Sequence, residues 1–138
     1  MRIMAIDYGD AHTGIAISDP TGLLAGFTTV INSRRQEVVV EQVTLLAKEH
    51  GAEDLVLGHP VNMDGTLGPR SEKAKAMKVL LEEATALPVV LWDERRTTID
   101  AHNILFNSGK NAKQRKKVVD AVAASLILEG YLTFKKSH

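Results

Sequence analysis

Apolar residues in this chain come first in short runs and later at helical intervals. The runs Arg2-Ile3-Met4-Ala5-Ile6-Asp7 and Gly14-Ile15-Ala16-Ile17-Ser18 have strand length, and the turn between them contains Gly9 and Asp10. That pattern predicts a hairpin. A third run, Gly26 to Ile31, follows the turn signal Pro20-Thr21-Gly22, so three strands open the chain as an antiparallel meander. From residue 35 to 50 the apolar positions become Val39, Val43, Leu46 and Ala47, the spacing of an amphipathic helix, with Gly51 as its stop. Asp54 to Gly58 reads as a short buried strand, and residues 59–69 as a loop rich in Pro, Asn, Asp and Gly. Pro69 suits the first position of a second helix that runs to about Ala86. Pro88 then leads into a strand at 89–92. A helix near 97–107 ends at Asn107-Ser108-Gly109, and a last helix covers 114–134.

Strands that alternate with helices imply parallel crossovers, whereas the opening meander implies antiparallel pairing. The expected fold is α/β: a five-stranded mixed sheet, three antiparallel meander strands plus two parallel ones, flanked by helices. No repeat, low-complexity tract or linker interrupts it, so residues 1–138 read as one domain.

Three carboxylates break this apolar pattern. Asp7 ends the first strand, Glu94 follows Val89-Val90-Leu91-Trp92, and Asp120 interrupts the apolar stretch from Val118 to Leu132. A carboxylate at the rim of a core is costly unless a cation holds it. In a sheet with right-handed crossovers, strands 1, 4 and 5 run parallel, so Asp7 and Glu94 emerge at the edge where open α/β sheets place ligands. Asp120 precedes Ala124, Ile127 and Tyr131 by four, seven and eleven residues, which continues one apolar face and turns it toward the sheet. Three carboxylates at one edge suit hard divalent cations and can hold two of them ~4 Å apart, an arrangement that cleaves phosphodiesters. Asp10 reads as a turn residue. Asp93 and Glu94 are adjacent on an extended segment, so only one of them faces such a site.

Composition narrows the chemistry. The absence of cysteine excludes disulfides, thiolate metal sites and cysteine nucleophiles, and it fits a reducing, cytoplasmic setting. No apolar run approaches the roughly 20 residues of a membrane span, and the first residues lack the pattern of a secretion signal. Net charge is zero, with 17 basic and 17 acidic residues. The basic residues are unevenly placed: Lys110, Lys113, Arg115, Lys116 and Lys117 form a run without an acid. Such a run is ordinarily a solvated helix start, although cations there oppose the helix dipole.

With these motifs in place, the chain resembles the YqgF family (RuvX-like), bacterial proteins of the RNase H-like superfamily described as Holliday-junction resolvases or pre-ribosomal-RNA nucleases. The resemblance rests on Asp7-Tyr8-Gly9-Asp10 with Gly14-Ile15-Ala16-Ile17-Ser18-Asp19, on Gly58-His59-Pro60-Val61-Asn62-Met63-Asp64-Gly65-Thr66, on Asp93-Glu94-Arg95-Arg96-Thr97-Thr98, and on Asp120 with Ala123-Ala124. These occur in family order over nearly the whole chain. The resemblance implies that Asp7, Glu94 and Asp120 are catalytic carboxylates binding two Mg²⁺ or Mn²⁺ ions, and it favours Glu94 over Asp93. It also implies a nuclease that processes the 5′ end of the 16S ribosomal RNA precursor, with four-way DNA junctions as the alternative substrate. The chain departs from the family where a basic pair is common after Asp10: it has Ala11-His12-Thr13, which leaves His12 with part of that basic role. Arg96 stands where an apolar residue is usual.

Nucleic-acid contacts are expected from His12, from Asn62, Thr66 and Arg70 around the second helix's start, from Arg95, and from Lys113, Arg115, Lys116 and Lys117. A helix N-terminus at the active edge can receive a phosphate. The loop could equally be only a turn, and Arg95 could simply pair with Asp93. The histidines at 50, 59, 102 and 138 read as surface or packing residues. Two other functions compete: a phosphotransferase of the actin/sugar-kinase type, whose first turn also carries Asp-x-Gly, and a non-catalytic RNA-binding factor in ribosome maturation. The chain is expected to act as a monomer or homodimer on nucleic acid, away from membranes.

Overall fold

The computed structural model describes residues 2–19, 25–60, 68–93 and 112–137, with side chains of the last segment given for residues 122–135. Five strands, β1 (Arg2–Asp7), β2 (His12–Ser18), β3 (Ala25–Asn32), β4 (Ala52–His59) and β5 (Val89–Asp93), form one sheet. Their order is β3-β2-β1-β4-β5, which puts β1 at the centre. β1 pairs antiparallel with β2 and β2 antiparallel with β3. β1 runs parallel to β4 and β4 parallel to β5. The expected meander and parallel strands are both present. The expected helix at 97–107 lies outside the described residues.

Strand alternation divides the interior into two cores, because successive side chains leave opposite faces of the sheet. One core joins Met4, Ile6, Ile15, Ile17, Leu55, Leu57 and Val89 to α1 (Gln36–His50) and α2 (Pro69–Thr85). The other joins Ile3, Ala5, Ala16 and Val56 to the last described helix, α3 (Ala112–Ser137), through Ala124, Ile127, Leu128, Tyr131 and Leu132. Each fully buried Ile or Leu contributes about 1.5–3 kcal/mol relative to an exposed one.

Local sequence explains the boundaries. Pro69 occupies the first turn of α2, where its missing N–H costs nothing. α1 ends at Gly51 in a left-handed conformation (φ 68°), its N–H donating to the carbonyls of Ala47 and Lys48. β2 begins at His12, two residues before its apolar run, because His12 and Thr13 pair with Asn32 and Ile31 of β3. β4 likewise extends to residue 52 through pairing of Ala52 with Arg2. Among the described residues no helix is long and apolar enough to cross a membrane.

Candidate nuclease site

Asp7 is the last residue of the central strand and is half-buried. It shares the parity of Ile3 and Ala5, so its side chain leaves the sheet on the face covered by α3. Its antiparallel partner is Gly14, which is buried and places no side chain beside the carboxylate. No hydrogen bond or ion pair to that carboxylate exists among the described residues. With no partner among the described residues, this half-buried carboxylate offers the hard oxygen donors that divalent cations prefer.

The parallel strands end together. Ile6 of β1, Leu57 of β4 and Leu91 of β5 lie in one row, and each strand runs one or two residues farther. Asp93 has the parity of Val89 and Leu91, which belong to the α1/α2 face. Trp92 belongs to the α3 face, where it meets Tyr131 edge-on at 6.0 Å between ring centroids. Glu94 and Arg95 lie outside the described residues, as do Asn62 and Thr66 and the neighbouring Arg96. Asp120 is on α3, as expected, and Ala124, Ile127 and Tyr131 on its face are buried against the sheet. Lys113, Arg115, Lys116 and Lys117 lie in the first turns of α3. The side chains of all five are outside those described. Among the described residues, no three His, Cys, Asp or Glu side chains form a metal-sized group. Of the three candidate carboxylates, only Asp7 has a described side chain.

The turn leading out of β1 is tight. A Cβ at Gly9 would stand 2.4 Å from the His12 carbonyl oxygen, so this position requires glycine. The turn delivers His12 to the start of β2, where its Nδ1 lies 2.7 Å from Asn32 Oδ1. Nε2 is the ring's remaining polar atom. Asp10 is indeed a turn residue: it is exposed, and its Oδ1 accepts from Lys73 Nζ at 3.0 Å. That hydrogen bond and the ammonium's charge hold the Asp10 carboxyl below its ordinary value of 3.8, with weaker pulls from Arg70 and Arg34.

Two arrangements were not foreseen. His59, at the end of β4, is hydrogen-bonded through Nε2 to Ser71 Oγ at 2.6 Å, and Ser71 is wholly buried in the first turn of α2. The pair ties the start of α2 to the edge where β1, β4 and β5 end. A lone histidine after a strand carried no sign of it. Likewise Asp10 and Lys73 are 63 residues apart, and nothing in their local sequence links them. Arg70 is exposed beside Ser71 in the same first turn.

Comparison with known proteins extends this geometry. The model of the family described as "RuvX: Holliday junction resolvase" matches residues 1–134. A protein of Halothermothrix orenii, provisionally named pre-16S rRNA nuclease, is 42% identical over 135 residues, covering 98% of this chain and 96% of its own. Among solved structures, Thermus thermophilus RuvC in complex with a Holliday junction substrate superposes with a TM-score of 0.66 at 13% identity, covering 99% of this chain and 96% of that one. A ROK hexokinase from Thermus thermophilus gives 0.52 at 23% identity, covering 75% of this chain but 38% of the hexokinase. These two likenesses concern the fold, which is RNase H-like.

Proposed function

We propose, because the chain belongs to the RuvX family, that it is a nuclease hydrolysing phosphodiester bonds at the 5′ end of the 16S ribosomal RNA precursor. The observation that carries the substrate is the relative of that name, which matches at 42% identity across almost the full length of both chains. The family's description favours a second reading, cleavage of four-way DNA junctions. The sugar-kinase reading has less behind it, since the likeness covers 38% of the hexokinase chain. We read residues 1–138 as a single nuclease domain acting as a monomer or homodimer in the cytoplasm.

In this reading Asp7, Glu94 and Asp120 hold two Mg²⁺ or Mn²⁺ ions. The half-buried carboxylate of Asp7 fits that role, because its oxygens meet no competing cation among the described residues. The ions would supply charge stabilisation to the attacking and leaving oxygens of an in-line displacement. Asp7, at the end of the central strand, would be one of the residues that hold the ions. Glu94, two residues after Trp92 in sequence, and Asp120, on α3, would complete the set. His12, Asn62, Thr66, Arg70 and Arg95, with Lys113, Arg115, Lys116 and Lys117, hold the phosphodiester backbone across the edge. These contacts position the strand without reading its sequence.

The test compares precursor 16S RNA, unstructured RNA and four-way DNA junctions as substrates, with Mg²⁺ or Mn²⁺. Asp7→Asn should abolish cleavage while leaving the melting temperature near that of the native protein, and EDTA should reproduce the loss. Cleavage that survives Asp7→Asn would overturn the assignment. Preference for the DNA junction would select the second reading.

A further inference from the structure

We propose that Arg34, Arg70 and Lys73 form a phosphate-binding flank on the α1/α2 side of the active edge, where Asp10 serves as a built-in counter-ion that an RNA phosphate displaces. This rests on the nuclease reading and extends it to the sheet face opposite α3, adding Arg34, Lys73 and Asp10 to the residues that meet the substrate.

The cations come from separate segments. Arg34 lies between β3 and α1, a connection held to the β1–β2 turn by the Ser33 N–H donating to the Ala11 carbonyl at 3.0 Å. Arg70 and Lys73 lie three residues apart in the first turns of α2, so they share one side of that helix. Asp10 enters from the β1–β2 turn, and its Oδ1 is 3.0 Å from Lys73 Nζ. All four residues are exposed. Among the described residues, Asp10 is the carboxylate on which all three cations act. The neighbouring Arg35 is different: its guanidinium is 2.8 Å from Glu37, which neutralises it locally. Arg34 and Arg70 have no ion pair of that kind among the described residues.

Helix physics sharpens the point. Arg70, in the first turn of α2, opposes the helix dipole, and the acid of that turn, Glu72, lies 3.7 Å from Lys75. An anion at that end satisfies both the dipole and the side chains. Asp10 partly supplies one, but an ion pair whose side chains are 56% and 70% exposed holds weakly and exchanges readily. A phosphodiester, with charge-assisted contacts to Arg34 and Arg70 as well as Lys73, outcompetes it. The platform is already ordered. The buried Ser71, between Arg70 and Lys73, is fastened to His59 at the end of β4, one strand from Asp7. A nucleic-acid strand whose scissile bond reaches Asp7 thus finds its flanking phosphates at this patch.

Binding can be measured apart from cleavage. Fluorescein-labelled single-stranded RNA is titrated in EDTA across a range of salt, and anisotropy is read for the native protein, Arg34→Glu/Lys73→Glu, Arg34→Gln/Lys73→Gln and Asp10→Asn. Melting curves confirm that each variant is folded. Removing two phosphate contacts should weaken binding at least tenfold and flatten the slope of log K against log salt by roughly 1.4. The glutamine pair should show the same direction with a smaller effect. Asp10→Asn should tighten binding several-fold. Native affinity and slope in the glutamate pair, or weaker binding in Asp10→Asn, would overturn the proposal. Neither result bears on the nuclease reading, which fails separately if Asp7→Asn still cleaves.

Discussion

Gly130 of α3 lies against the indole of Trp92 on β5, where an added Cβ would stand 3.2 Å from Trp92 Cζ2. The helix reaches the sheet at this depth because residue 130 has no side chain. Trp92 is further enclosed by Tyr131 and by Phe134, whose ring centroid is 5.8 Å away.

That contact grades the substitutions at position 130. Gly130→Ala should change stability by less than about 1 kcal/mol, because a shift of a few tenths of an ångström is offset by alanine's helix propensity. Gly130→Leu should cost about 1–3 kcal/mol or more, since the indole and the helix must separate. Urea denaturation followed by Trp92 fluorescence measures both. Equal stability of the leucine variant and the native protein would mean that α3 does not rest on Trp92.

At Gly9 the obstruction is backbone rather than a side chain. Gly9→Ala would drive a Cβ to 2.4 Å from the His12 carbonyl, so the turn must open. The cores lie deeper in the sheet, and global stability should fall by only about 1–3 kcal/mol. Activity should suffer more, since ~1 Å of displacement at Asp7 or His12 can cost on the order of 10²-fold. Comparing cleavage rate with melting temperature in one variant separates the two effects.

Thr13 invites the opposite change. It is wholly buried in β2, and its Oγ1 has no hydrogen-bond partner among the described residues. Burying an unsatisfied hydroxyl costs about 1–3 kcal/mol. Thr13→Val keeps the shape and removes the penalty, so the variant should be more stable by up to ~1 kcal/mol in denaturant unfolding. A loss of stability would show that the hydroxyl is satisfied in solution.

Acid should dissolve the Asp10–Lys73 pair in a defined direction. The folded-state carboxyl pKa is depressed below 3.8, first by the Lys73 hydrogen bond and charge, then by Arg70 and Arg34. Whatever stability the pair adds is therefore present above the unfolded-state carboxyl pKa and is lost as pH falls through the lower folded value. A carboxyl-detected NMR titration should place the Asp10 midpoint below 3.8, and Lys73→Met should move it upward. An Asp10 midpoint indifferent to Lys73→Met would show that the pair is absent in solution.

The architecture was readable because periodicity reports burial. Short continuous apolar runs became strands, and the spacing of Val39, Val43 and Ala47 became the buried stripe of α1. Boundaries were less readable where pairing rather than hydrophobicity decides them. His12 looks like part of a turn, yet it enters β2 through Asn32, and α3 extends to 112–137 rather than 114–134. The central place of β1 emerges only from the strand order, whereas the position of Asp7 at the end of β1 followed from its run of apolar neighbours. The contacts of Asp10 with Lys73 and of His59 with Ser71 did not, since each depends on how distant segments meet. Gly130 passed unnoticed for a related reason: within an apolar helix, nothing marks a glycine as a seat for an indole.

The strand order also sets a schedule during synthesis. β1, β2 and β3 are consecutive and pair locally, so they can assemble early. β1 gains its other neighbour, β4, only after α1 has been made, and the face bearing Asp7 is covered only when α3 arrives. If Asp120 completes the site, a nascent chain holds a correctly folded Asp7 yet has no working centre until α3 leaves the exit tunnel. The order of synthesis thus makes α3 the last part of the proposed centre to arrive.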